Sequence, residues 1–545
     1  MIFLLIPVYC IAGVLLAMFP KWHMDDAYIS FRYAAHFAAH AGLTFNPGVT
    51  PPVEGYTGVL WTVLMGEIIR AGFSPLKASH GIGVAAFFGA LTLLAYLLQR
   101  MRFTRLTIAA CLMIYATAPI FYVHALSGLE TSLYVFIVTA CFFAFWEILQ
   151  RPAPSWRWPV LFVFLSAASF TRPEGVLLML LIATGTVLFL LRRAPGPALG
   201  FIVLSAALLI APQAVYVFWK FHYYGYLLPN TFYAKKFSGV VSPEAAIGMS
   251  KMLTKYFVYP WSFIVLTFLY KPAEFKAQLK HVLAQRGEVA PFMTTLGLFI
   301  GVTFVQYSRS NLQMGLSHRF FAPFFPLLLV ITAYGLEPSI SLWRKWRAEA
   351  PRVWQRFVAA GIILTLTQAG VLAFAYQRER LYYQTYMDWL NQTHVRAGKL
   401  LHQILPTTAW LATINDAGAC PYYSDLRVVD FGRLCDAYLA HHGNLSDSEK
   451  ADYLFSFRPA AVMITNGYYG DETPSFFTQD PRYAGYTLVH RYGRELFPSE
   501  YLYLRKDVLG DVCKIVRRPD VSTETRAHTG DLIGLCQREP PSSAS

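Results

Sequence analysis

Apolar runs of roughly 17 to 25 residues, the length that crosses ~30 Å of hydrocarbon as a helix, recur from Phe3 to about Tyr376 and then stop. Such runs leave the backbone few choices, because a spanning segment must satisfy its own hydrogen bonds. The whole chain is 55% hydrophobic and only 14% charged, outside the balance of soluble proteins. The runs lie near residues 3–20, 80–98, 106–121, 131–149, 158–170, 175–191, 198–219, 252–270, 290–306, 319–336 and 357–376, which predicts about eleven transmembrane helices. The expected fold class is therefore an α-helical polytopic membrane protein, with residues 1–376 in the membrane domain and 377–545 as a C-terminal α/β domain. Strand-like segments at Trp410–Ile414, Arg427–Val429 and Ala460–Ile464, with a helical stretch at Ser446–Leu454, carry the α/β expectation.

The net charge of +14 would suggest nucleic acid in a soluble chain, but here the Lys and Arg residues cluster in short loops. With a cytoplasmic N-terminus, the groups Arg100/Arg102/Arg105, Arg151/Arg157, Arg192/Arg193, Lys271–Arg286 and Arg344–Arg356 all fall on one side, as positive-inside bias requires. This predicts a multi-pass membrane protein with the loop 21–79 and the C-terminal domain on the outer side, which is the periplasm where the membrane is a bacterial cytoplasmic (inner) one. It requires Thr57–Ile69 to lie along the outer surface; that stretch is short and interrupted by Glu67. Cys420, Cys435, Cys513 and Cys536 all sit in the part placed outside. In an oxidising compartment they can form two disulfides, with Cys420–Cys435 and Cys513–Cys536 the sequence-local pairing among three possible ones, or they stay as four free thiols. There is no Walker A or dinucleotide-binding glycine pattern, so no nucleotide cofactor and no nucleic-acid partner is expected.

Ionisable groups near a membrane are costly and tend to mark function. In the first outer loop, Asp25 and Asp26 open a helical stretch on which Arg32 follows; one Asp can cap the helix, leaving the other over. Glu54 and Tyr56 lie in "VEGYT", where the acid also suits a helix N-terminus. "HALSGLET" offers Glu130 and "TRPEG" offers Arg172 and Glu174, although any helical hairpin needs polar turn residues. "YYGYLLPNTFYAKKF" sets Asn230 and Lys235 among aromatics, and "LSHRFFAPFFP" puts His318 and Arg319 at an outer boundary. Outward Lys and Arg suit an anionic lipid headgroup, with helix anchoring the plainer alternative.

Taken together, "DDAYISFRYA", "FNPG", "VEGYTGVLW", "SGLET", "TRPEG", "YYGYLLPNTFYAK", "HRFFAPFFP" and "INDAGACPYYSDLRVVD" resemble the bacterial GT-C glycosyltransferases, and among them the terminal arabinofuranosyltransferases of mycobacterial cell walls. The resemblance spans nearly the whole chain in order. It implies transfer of a sugar, arabinofuranose in that branch, from a polyprenyl-phosphate donor to an envelope glycan, lipid or protein acceptor. It also implies that an acid of the first external loop is essential, often with a divalent cation such as Mg or Mn. Carried over by position, Asp25, Asp26 and Glu54 are the catalytic candidates; beside them we expect Asp25 and Asp26 as the candidate metal ligands and, from their own chemistry, Arg32, Lys235 and Arg319 as the donor-phosphate candidates. Tyr56, Glu130, Arg172, Glu174, Asn230 and His318 complete the expected site. A transporter or flippase of a lipid-linked sugar is the alternative, though no internal repeat of the kind transporters carry is evident.

Overall fold

The computed structural model describes residues 2–234, 243–285, 287–310, 312, 315–466, 474–494, 497–516 and 536. The chain divides into two compact units, the first made of Met1–Lys21, Ser79–Tyr216 and Phe237–Tyr383, the second of Trp22–Ala78, Val217–Lys236 and Gln384–Ser545.

The helices of the first unit follow the apolar pattern. Among the described residues seven helices are long and apolar enough to cross a membrane, Pro75–Arg100, Thr131–Gln150, Glu174–Arg193, Pro195–Tyr224, Val289–Ser308, Leu316–Glu349 and Pro351–Ile404. Two bent pairs, Arg105–Thr117 with Pro119–Ala125 and Glu244–Tyr256 with Val258–Tyr270, raise the number to nine if each is one span. Leu4–Ala17 and Arg157–Thr171 are shorter apolar helices. Each of the eleven apolar runs is thus helical. Thr131–Gln150 is a central helix with 83% of its apolar stretch buried, whereas Pro195–Tyr224 has 11% buried and turns apolar side chains outward, as a lipid-facing helix does.

In the second unit the segment between the first two apolar runs packs with the C-terminal residues. The loop contributes helices Asp25–Ala38 and Val59–Arg70. The latter is 12 residues, about 18 Å long at 1.5 Å per residue, too short to span. The C-terminal part forms a five-stranded sheet of β1 (Trp410–Ile414), β2 (Arg427–Asp430), β3 (Ala461–Thr465), β4 (Tyr486–Arg494) and β5 (Phe497–Arg505) in the order β2-β1-β3-β5-β4. β1 is parallel to β2 and β3, while β5 runs antiparallel to β3 and β4. Alternate residues feed two cores: Leu411, Met463 and Leu502 meet Leu400 and Leu401 on one face, and Ala412, Ile464 and Tyr503 meet Leu454 on the other. Helix Asp447–Ser456 starts at a capping box between Ser446 and Glu449. The β4–β5 hairpin was not expected from sequence, where Gly493 and Pro498 interrupt the alternation.

Of the four C-terminal cysteines, Cys513 and Cys536 form a disulfide. The pairing Cys420–Cys435 does not occur; both are buried free thiols. They serve different cores, Cys420 beside Leu400 and Leu401 and Cys435 beside Tyr33 and Tyr56, so their side chains never meet.

Candidate functional site

Helix Asp25–Ala38 begins after an extended Met24, and its N-cap residue makes no side-chain cap. The expected capping role of an Asp is replaced by a longer-range one. The Asp25 carboxylate is buried and accepts the backbone N–H of Gly418 at 3.0 Å and of Ala419 at 2.8 Å, while Tyr386 Oη accepts the Asp25 N–H at 3.1 Å. The approach is so close that a Cβ on Gly418 would stand 2.0 Å from the Asp25 carbonyl oxygen. Only glycine fits. Gly418→Ala is therefore expected to push the 415–419 turn off Asp25 and lower the midpoint of thermal unfolding, by a ΔΔG of about 1–3 kcal/mol for the displaced hydrogen bonds, read by calorimetry. Asp26, the next residue, is partly exposed.

Arg32, expected to hold phosphate, is buried and spends its fork on backbone: Nε donates to Phe45 O at 2.9 Å, Nη2 to Leu426 O at 2.5 Å and Nη1 to Pro421 O. Asn46 of "FNPG" pairs both ways with Val428, donating to its carbonyl at 2.8 Å and accepting its N–H at 2.9 Å, and so acts as an extra strand at the edge of β2. Glu54 is also buried, in an ion pair with Lys220 at 2.8 Å. Asn230 donates its N–H to Glu54 O and its side-chain amide to the carbonyls of Arg433, Leu434 and Asp436. Tyr56 Oη meets Tyr224 Oη at 3.0 Å. The loop acid, Tyr56 and Asn230 thus lie together as a buried brace. Lys220→Met removes the cation from this buried ion pair and should destabilise the unit by about 3–5 kcal/mol, with Glu54→Gln in the same chain recovering most of it; chemical denaturation of the pair of variants checks this.

Three further groups were not singled out from sequence. His394 lies in a π-helical turn, Asn391–Val395, a distortion that often marks function. It is fully buried, with Nδ1 2.6 Å from Glu500 Oε1 and Nε2 3.5 Å from Asp416 Oδ2. Burial works against its charge, but Glu500 and Asp25 outweigh that and hold it protonated well above the ordinary histidine range. Burial likewise pushes the Asp25 carboxyl up to about 7, against the pull of the His394 imidazolium. Asp416 keeps 28% of its side chain exposed, unlike Asp25 and Glu500. The stretch "NDAGACPYYSDLRVVDFGRLCDAYLA" that carries Asp416 is rich in turn residues and acids, whereas a lone His at the end of a long helix and a Glu inside a strand give no signal at all.

The first unit gathers a second set. Arg172 Nε donates to Glu174 Oε1 at 2.6 Å and its Nη1 to Glu130 Oε1 at 3.2 Å; Arg319 Nη2 reaches the same Glu130 oxygen at 3.1 Å. Tyr307 Oη donates to Glu174 Oε1 at 2.6 Å. "SGLET", "TRPEG" and "HRFF" therefore converge on one buried network of two acids and two bases, and His318 sits beside Arg319 with a left-handed φ of 60°. Lys235 lies outside the described residues. Among the described residues no three His, Cys, Asp or Glu side chains stand together as metal ligands, and each Asp25 oxygen accepts one amide hydrogen.

Residues 381–511 match a family described as a domain of unknown function, DUF8728. No curated protein matches the chain by sequence. Among solved structures, ArnT from Cupriavidus metallidurans bound to undecaprenyl phosphate superposes with a TM-score of 0.55 at 12% identity, over 92% of this chain and 97% of that one. The apo state of the same ArnT gives 0.53 at 13% identity, over 92% and 98%. Over 92% of its length the chain has the fold of ArnT.

Proposed function

We propose that the chain is a membrane glycosyltransferase that moves a sugar from a polyprenyl-phosphate donor to an acceptor hydroxyl on the periplasmic side of the bacterial inner membrane. The observation that carries this reading is the likeness to ArnT over 92% of the chain, in a structure that holds undecaprenyl phosphate. The acid pair directly after the first apolar helix agrees with it, since a partly exposed carboxylate next to a fixed one suits general-base work.

In this reading Asp26 takes the proton of the acceptor hydroxyl. The acceptor oxygen attacks the anomeric carbon, the bond from that carbon to the phosphate oxygen breaks, and polyprenyl phosphate leaves with its charge. Asp25 holds the turn at Gly418 and Ala419 against the helix that carries Asp26. Arg319 is the donor-phosphate candidate of the first unit, in exchange for its bond to Glu130; Lys235 remains the candidate of the aromatic loop. Arabinofuranose as the sugar rests on the motif resemblance alone.

Asp25 accepts two amide hydrogens, which its ionised form holds most strongly. With its pKa pushed up to about 7, transfer should be full above that pH and fall as pH drops through it, read as an acid limb in the rate profile. Deleting the gene in its host tests the reading directly: one polyprenyl-phosphate sugar should accumulate while an envelope glycan, lipid or protein loses a residue. Unchanged donor lipids and envelope sugars would contradict it.

A further inference from the structure

The C-terminal sheet has a topological switch point that the mechanism above leaves unused. From β1 the chain passes through Ala419–Ser424 to β2 on one side, then crosses through Asp447–Ser456 to β3 on the other side of β1. In open α/β sheets the crevice outside the carboxyl ends of two such strands is where ligands bind, because the connections there diverge. At this edge the carboxyl end of β1 is followed by Asn415 and Asp416, and that of β3 by Asn466.

Two features make this edge more than a sheet end. Asn415 takes a left-handed φ of 86° and donates its side-chain amide to Thr465 O at 2.5 Å, which ties the turn bearing Asp416 to β3. His394, backed by Glu500, braces Asp416 from beneath, and Thr465 Oγ1 lies 3.4 Å from the same imidazole nitrogen that faces Asp416. The second feature is independent. Asn466 is only 2% exposed, and among the described residues neither its amide nitrogen nor its amide oxygen has a hydrogen-bond partner. A buried amide left unmade costs about 1–3 kcal/mol, so a native chain retains one where something else completes it.

We propose that this crevice is a carbohydrate subsite, in which the Asp416 carboxylate and the Asn466 amide hydrogen-bond sugar hydroxyls and His394 with Glu500 acts as the positioning pair for Asp416. The chemistry favours a polyol over an anion. Asp416 keeps part of its side chain exposed, so the edge presents a carboxylate, which disfavours a phosphate, while a carboxylate accepts and an amide both donates and accepts, the set that neighbouring hydroxyls require. Asp25 joins the same turn to the first-loop helix, so a sugar held at Asp416 stands in the unit that carries Asp26. The inference deepens the glycosyltransferase reading and rests on it for the source of the sugar, donor or acceptor, but not for the site itself.

Saturation-transfer NMR on the full chain in lipid nanodiscs tests it, with methyl glycosides of arabinose, rhamnose, galactose, glucose and mannose as probes. Transfer from the protein to at least one glycoside is expected, reduced tenfold or more in Asn466→Leu and Asp416→Asn, with thermal unfolding of both variants within a few degrees of the unchanged chain. His394→Gln should reduce the signal as Asp416→Asn does, and the double variant should lose no more than either alone, because the two act as one unit. Adding an undecaprenyl-phosphate-linked sugar identifies the source: a displaced glycoside marks the donor sugar, a retained one the acceptor. No signal with any of the five, or signal that survives Asn466→Leu and Asp416→Asn, overturns the subsite. A chain that binds a glycoside yet neither binds nor consumes any polyprenyl-phosphate sugar keeps the subsite and overturns the transferase reading instead.

Discussion

Asp26→Asn lowers sugar transfer by a factor of about 10² to 10⁴, the range expected when a general base is removed, while donor binding and membrane yield stay at the level of the unchanged chain. The neighbouring substitution behaves differently. Asp25→Asn turns an amide N–H₂ toward one of two backbone donors, Gly418 and Ala419, so the loss falls on the fold of the second unit as well as on activity. A kinetic assay alongside thermal unfolding separates them: Asp26→Asn should unfold like the parent chain and Asp25→Asn several degrees lower. Equal unfolding with full activity in both variants would remove the acid pair from the mechanism.

The largest structural effect is expected at Arg32. Arg32→Ala strips partners from the buried carbonyls of Phe45, Pro421 and Leu426 at once. At about 1–3 kcal/mol for each unpaired group, the summed loss is on the order of 3–9 kcal/mol, comparable with the whole stability of a domain. The second unit should then be unfolded or protease-sensitive at 37 °C. Lysine cannot repair it, because a single ammonium does not reproduce three donors of a planar fork. Limited proteolysis of both variants, with fragments identified by mass, gives the answer. Arg32→Lys with parent-like protease resistance would show that the fork is not what ties the first loop to the C-terminal strands.

The contrast between Asp26 and Arg32 shows which parts of this chain its sequence discloses. Apolar run length is a direct readout of bilayer thickness, so every expected run became a helix, and Thr57–Ile69 could be set aside as too short. Strands β1 to β3 were legible as short segments rich in apolar and β-branched residues bounded by turn residues. The polar residues were legible as a set and not as roles. Glu130, Arg172, Glu174 and Arg319 come from separate loops of the first unit, and nothing in their spacing reveals that they neutralise one another. Arg32 and Glu54 looked like ligand-binding charges because the carbonyls and the lysine that occupy them are hundreds of residues away or at the end of an apolar helix. Cys420 and Cys435 are close in sequence but belong to different cores, so proximity along the chain misjudged their pairing. His394 and Glu500 carried no local signal; only the fold brings them to Asp416.

The most direct measurement of the central claim is donor consumption by the purified chain in liposomes. Membranes from cells lacking the gene supply the acceptor, and a panel of undecaprenyl-phosphate-linked pentoses and hexoses is offered in turn. Release of undecaprenyl phosphate and the mass of the glycosylated product are followed together. One donor should be consumed with matching gain of a sugar on the acceptor, and the Asp26→Asn chain should consume it at least a hundredfold more slowly. No consumption of any donor, or equal consumption by the Asp26→Asn chain, would contradict the account.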